Sequence, residues 1–293
     1  MNIPAKRWLP LVAMLITSFH AVQAEERRPI PSLHVLQDID PEQHKAAVVT
    51  SVSLVPGGKQ LAAAGDDHVI RIWDLESGDL VRRQFGHADW IRAIRYSRDG
   101  QHLASAGNDR QVRIWSAATG ELEFAFPKHE QVITALAYTP DDARLVAVGL
   151  EKHLHVYDVQ TGDLSDEFGC PCVDNRALAM SPQGQFAAIG GRNGKIRIWN
   201  LATREEHATI EAENRRLCAL AFSPDGTTIA SAGEGRRIRL WDVSTGAMIG
   251  EMDCQGAKVF ALTYVSPGWL ASGGTDNMVC LWDVRSKQCE YRL

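Results

Sequence analysis

A chain of 293 residues, 45% hydrophobic and 23% charged, is long enough to bury a large core and lies far from the composition of a disordered segment. Its 31 Lys and Arg against 36 Asp and Glu give a formal charge of −5. That balance excludes bulk nucleic-acid binding, which rests on a basic face that neutralises phosphates.

The chain opens with Lys6 and Arg7, an apolar run from Trp8 to Phe19, and the small residues of Ala21-Val22-Gln23-Ala24 before Glu25-Glu26-Arg27-Arg28. This order describes a secretory signal peptide over residues 1–24, cleaved after Ala24. The apolar run is shorter than the roughly 20 residues that a spanning helix needs. The expectation is therefore an exported chain, periplasmic or secreted, with no membrane span once cleaved. Residues 25–32, charged and Pro-rich, read as a flexible lead-in. Leu33–Gln37 reads as a lone strand that matches the outermost strands of the units that follow.

From there one unit recurs. Its clearest copy is Ser105-Ala106-Gly107-Asn108-Asp109-Arg110-Gln111-Val112-Arg113-Ile114-Trp115, two short strands around a tight turn, with Gly86-His87 upstream. Near-copies end at Trp73, Tyr157, Trp199, Trp241 and Trp282, at steps of 42, 42, 42, 42 and 41 residues. A period of this length built from strand signals marks an array of stacked supersecondary units. Each unit reads as an inner strand (Ile91–Ser97, Leu217–Ser223), a turn (Ser97-Arg98-Asp99-Gly100, Ser223-Pro224-Asp225-Gly226), a small-residue strand ending in Gly, the Trp strand, and an outermost strand.

These residues resemble the WD-repeat family of β-propellers, with Trp-Asp intact at Trp73-Asp74, Trp241-Asp242 and Trp282-Asp283 and Gly-His at Gly86-His87. The resemblance runs from about Leu33 to the C-terminus and suggests an exported, bacterial member. It implies an all-β propeller of four-stranded antiparallel blades over residues 33–293. Six repeats favour six blades. An incomplete seven-bladed ring is the alternative, because Leu33–Gln37 and Gln288–Leu293 both compete to be the last outermost strand. An open ring would predict a dimer or a partner that fills the gap. The resemblance also assigns His87, Ser105, Asp109 and Trp115 to an internal hydrogen-bond network rather than to a hydrolytic triad. The third unit (Ala147, Glu151, Tyr157) and the fourth (Ile189, Asn193) depart from that set and are expected to be softer.

Six cysteines (170, 172, 218, 254, 280 and 289) form no disulfide framework for such a fold, and Cys218 and Cys280 read as buried hydrophobes within strands. No cofactor and no metal site is indicated. Function is expected at the channel rim, where Thr50, Arg92, Thr134, Arg176, Cys218 and Phe260 open the inner strands. Trp90, Arg92, Arg176, Arg216, Lys258 and Phe260 are the candidate binding residues, because Arg and aromatic side chains anchor interfaces. The leading reading is a non-catalytic exported scaffold that holds a protein partner, such as an acidic peptide segment. The alternatives are a lactonase-like propeller hydrolase, for which Asp89 and Asp174 are the nearest acids, and a docking accessory of an envelope redox complex. Arg71, Arg113, Arg197 and Arg239, with His155 in the same place, read as a blade-surface column of local salt bridges.

Overall fold

The computed structural model describes residues 47–170, 174–213, 215–254 and 256–293. The expected signal peptide, the lead-in, the strand over Leu33–Gln37 and Cys172 lie outside them. The described strands make six four-stranded antiparallel sheets, each from strands consecutive in sequence. The first blade comprises β1 (Val49–Leu54), β2 (Gln60–Gly65), β3 (Ile70–Asp74) and β4 (Leu80–Gln84). The second has β5 (Ile91–Tyr96), β6 (His102–Gly107), β7 (Val112–Ser116) and β8 (Leu122–Ala125). The third has β9 (Ile133–Tyr138), β10 (Arg144–Gly149), β11 (His153–Asp158) and β12 (Leu164–Gly169). The fourth has β13 (Asn175–Met180), β14 (Phe186–Gly191), β15 (Lys195–Asn200) and β16 (Glu205–Glu211). The fifth has β17 (Leu217–Phe222), β18 (Thr228–Gly233), β19 (Arg237–Asp242) and β20 (Met248–Asp253). The sixth has β21 (Val259–Ser266), β22 (Trp269–Gly274), β23 (Val279–Asp283) and β24 (Gln288–Arg292). The fold is an all-β, six-bladed propeller. β24 itself completes the last blade, so the missing-blade premise for a dimer falls away. Two compact units are distinguished, one holding β1 to β12 and the other β13 to β24.

Local chemistry fixes the turns. Between β5 and β6, the Asp99 carboxylate accepts the Ser97 hydroxyl at 2.6 Å and the Gln101 amide at 2.9 Å, while Ser97 Oγ accepts the His102 amide at 2.9 Å. Ser223 and Asp225, and Thr139 and Asp141, repeat the arrangement. The Asp of Trp-Asp serves the following turn: Asp242 Oδ1 accepts the amides of Ser244 and Thr245 at 3.0 and 2.8 Å. Asn200 and Ser116 make equivalent bonds, which is why the softened copies still turn.

The middle strands are buried on both faces. β2, β6, β10, β14 and β18 are closed from solvent along almost their full length. In the first unit one blade packs on the next, with Ile70 and Ile72 of β3 in one cluster with Ile91, Ile94, Leu103 and Trp115 of the second blade. In the other unit Ile196 and Ile198 of β15 join Leu217, Leu220 and Trp241. Each such side chain contributes about 1.5–3 kcal/mol on burial.

One irregularity recurs in every blade. At the start of each inner strand the register slips by one residue, leaving Thr50, Arg92, Thr134, Arg176, Cys218 and Phe260 as the unpaired bulge residues. A bulge re-aims the extra side chain. The facing strand ends on a glycine whose absent Cβ makes room: a Cβ at Gly107 would lie 2.0 Å from the Trp90 carbonyl oxygen. That oxygen also accepts the Asn108 amide at 2.8 Å. The equivalent distance is 2.0 to 2.2 Å in all six blades. These glycines therefore answer to a carbonyl of their own blade.

Candidate functional site

In the unit from β13 onward, three candidate residues belong to one chain of charges. Asp174, just before β13, takes Arg176 Nε at 2.5 Å on one carboxylate oxygen and Arg216 Nη2 at 2.9 Å on the other. Arg216 Nη1 then stands 3.6 Å from Glu234 Oε1, and Lys258 Nζ stands 3.9 Å from the same oxygen. Three cations alternate with two anions across the openings of β13, β17 and β21, an excess of one positive charge. Phe260, on the bulge two residues after Lys258, is 48% exposed. The Cys218 thiol on the neighbouring bulge is pushed up to about 11 by burial, with Glu234 adding to the rise. It stays a neutral thiol at ordinary pH, consistent with a packing role.

In the other unit Trp90 and Arg92 come together. The Arg92 guanidinium lies 4.9 Å from the centre of the Trp90 ring, a cation–π distance, and its Nε donates to Asn108 Oδ1 at 2.8 Å. Asp89 accepts the Trp90 amide at 2.7 Å. Asp89 and Asp174 are thus engaged by amides or guanidinium groups, with no His bonded to either among the described residues. Of the column two residues before Trp, Arg71 pairs with Asp67 at 2.6 Å, Arg239 with Glu251 at 2.8 Å and Arg197 with Glu206 at 2.5 Å, whereas Arg113 and His155 are buried rather than on a blade surface and Arg113 bonds the neutral Gln111.

The Ser-His-Asp set of the second blade has the distances of a hydrolytic triad. His87 Nδ1 is 2.8 Å from Asp109 and Nε2 is 2.7 Å from Ser105 Oγ. Yet Ser105 is fully buried and also accepts the Trp115 indole N–H at 2.8 Å. The hydroxyl is sealed from solvent and engaged from both sides by side chains of its own blade. Burial raises the Asp109 carboxyl, but the His87 bond and the Gln111 and Ala88 amides outweigh it and hold the group below its usual value. The Trp–Ser half recurs as Trp241–Ser231 at 2.8 Å and Trp282–Ser272 at 2.9 Å.

Residues 48–289 match the family described as the IFT122 first β-propeller. The chain belongs to that family. Its WD-repeat character is thereby established. A 73-residue stretch, 22% of the chain, is 36% identical to a protein of Thermomonospora curvata named "Probable serine/threonine-protein kinase PkwA". The chain spans 10% of that protein's length.

Two networks in this IFT122-type propeller escaped the sequence reading. In the third blade Ala147 replaces the serine and Tyr157 the tryptophan, and the phenol reaches His129 Nε2 directly at 2.5 Å. His129 Nδ1 and His155 Nε2 lie 2.9 and 2.8 Å from one oxygen, Glu151 Oε1. Burial raises the Glu151 carboxyl, but the two imidazoles overcome it and bring the group down to about 2. The third blade is therefore rewired, a buried network that its expected softness did not count. In the fifth blade Gly235 stands where the second has Asp109, and a Cβ there would lie 1.6 Å from Glu213 Oε2. The carboxylate has moved to the position of His87. The legible signals were His129 and His155, one repeat on from His87 and Arg113, and the paired exchange of Glu213 with Gly235.

Proposed function

We propose that this propeller is a non-catalytic, exported scaffold that holds a protein partner through the bulge ends of its inner strands. The observation that carries this reading is the bulge repeated in six blades, which sets one side chain per blade outside the alternation of its strand. In the unit from β13 onward the surface so built is Arg176, Arg216, Lys258 and Phe260, cationic by one charge with an exposed aromatic ring beside it. Such a strip suits an acidic peptide segment with an apolar residue for Phe260. Acid groups would displace the weaker Glu234 contacts first, since these are the longest of the series. Trp90 and Arg92, held in their own stack, offer the other unit a second aromatic and cationic contact. Export after Ala24 belongs to the same proposal and is checked by cell fractionation and the N-terminus of the recovered protein.

The test is binding of labelled acidic peptides, free or amidated at the C-terminus, to the full chain by fluorescence anisotropy at two salt concentrations. Salt-sensitive binding lost in Lys258→Glu and Phe260→Ala supports the reading. Equal binding of acidic and basic peptides, or binding indifferent to both substitutions, removes it.

A further inference from the structure

The buried cluster in the third blade does more than replace a hydrogen-bond network. We propose that His129, Glu151 and His155 form a binding site for a first-row divalent transition-metal ion of the Zn²⁺ type. Among the described residues, this is the one group in which three His, Cys, Asp or Glu ligand atoms all lie within 4.8 Å of one another.

Comparison with the second blade shows what is unusual. There one imidazole, His87, serves one carboxylate, and Arg113 at the position of His155 turns its Nη2 to Gln111 Oε1 at 2.6 Å. A guanidinium is permanently protonated and cannot ligate, whereas a neutral imidazole can. In the third blade the exchange brings a second ring nitrogen onto the same carboxylate oxygen, with the two rings edge-to-face at 4.4 Å. In the second blade the matching oxygen, Asp109 Oδ2, takes His87 and the Ala88 amide, so a second imidazole is what sets the third blade apart. Two imidazoles and a carboxylate make a ligand set used for zinc with an open fourth position.

The distances are close to those required. Metal–ligand bonds of about 2.0–2.2 Å in tetrahedral geometry place neighbouring ligand atoms about 3.3 Å apart. The contacts of 2.9 and 2.8 Å would open by about half an ångström as the carboxylate withdraws, and the two ring nitrogens, within 4.8 Å of each other, would settle to the same spacing. The three side chains are 5%, 5% and 8% exposed, so water competes weakly for the ion. Tyr157, bonded to His129 Nε2, supplies the outer contact that orients a ligating imidazole.

The protons balance. Without metal, His129 Nδ1–H and His155 Nε2–H donate to Glu151, and the Tyr157 hydroxyl donates to His129 Nε2. On binding, both rings stay neutral and each carries its single proton on the far nitrogen. Their freed lone pairs and the Glu151 carboxylate bind the ion, His129 Nε2–H donates to Tyr157, and no net proton is released.

The experiment uses the untagged full chain, stripped with chelator and titrated with Co²⁺ under visible absorption, then with Zn²⁺ under native mass spectrometry. One ion per chain is expected, with a ligand-field spectrum that Zn²⁺ abolishes. His155→Arg, which installs the second-blade residue, should keep the fold by circular dichroism and lose binding. Tyr157→Phe should weaken it by about 10–100-fold. Wild-type protein without a stoichiometric cobalt spectrum, or folded His155→Arg binding as tightly, would overturn the site.

Discussion

A Cβ added at Gly233 would stand 2.1 Å from the carbonyl oxygen of Arg216. The same oxygen accepts the Glu234 amide at 3.0 Å, so it cannot retreat without breaking the start of β17 and its bulge at Cys218. Gly233→Ala is expected to destabilise the chain by about 1–3 kcal/mol through overpacking. Gly169→Ala on β12, where a Cβ meets nothing within 4 Å, should stay within about 0.5 kcal/mol. Urea unfolding of both variants makes the comparison, and equal midpoints would refute it.

Ser105 joins His87 to Trp115, so Ser105→Ala strands an imidazole nitrogen and an indole N–H in a dry interior. A loss of about 1–3 kcal/mol per orphaned group is expected. The third blade suggests the remedy, since Tyr157 spans the gap left by Ala147. Trp115→Tyr added to Ser105→Ala should therefore recover part of the loss, with a coupling of about 0.5–3 kcal/mol. Strict additivity in the double-mutant cycle would show that the third blade's wiring does not transfer.

The turn carboxylates predict the acid limb of stability. Hydroxyl bonds from Ser97, Thr139 and Ser223, joined by nearby amides, hold Asp99, Asp141 and Asp225 below the ordinary value of 3.8. Because they titrate lower folded than unfolded, their contribution is complete above the ordinary value and is lost as pH falls through the lowered one. Urea midpoints should hold steady down to about pH 5 and decline below it. Asp225→Asn should start lower at neutral pH and decline less steeply; a decline as steep as the parent's would count against the assignment.

Burial of the Cys218, Cys254 and Cys280 thiols raises them to about 11, 12 and 12. Alkylation of the native protein at pH 8 should be slow at all three and fast after unfolding, as peptide mass spectrometry would record. Rapid native labelling of Cys218 would place a thiolate where packing alone is argued.

Blade number and strand order were legible because the indole, the turn and the glycine repeat together every 41 or 42 residues. The bulge was not. Arg92 and Phe260 share a position but no chemistry, and only the glycine opposite marks the slip. Of the candidate residues, the order of Arg176, Asp174, Arg216, Glu234 and Lys258 depends on spacing between strands of different blades, which one sequence does not encode visibly. The third blade misled for a related reason. Read one at a time, Ala147, Glu151 and Tyr157 are losses from a pattern; only together with His129 and His155 are they a second solution to the same buried geometry.

Among the described residues every sheet is made from four strands in unbroken succession, the last included. Backbone pairing therefore closes within short stretches, as between Val49 and Gly65 or Lys195 and Glu211. Low sequence separation favours rapid formation of each sheet, and synthesis delivers them in order from the N-terminal side. A nascent chain can thus finish one blade before the next is made, leaving the docking of apolar blade faces as the later stage of its maturation.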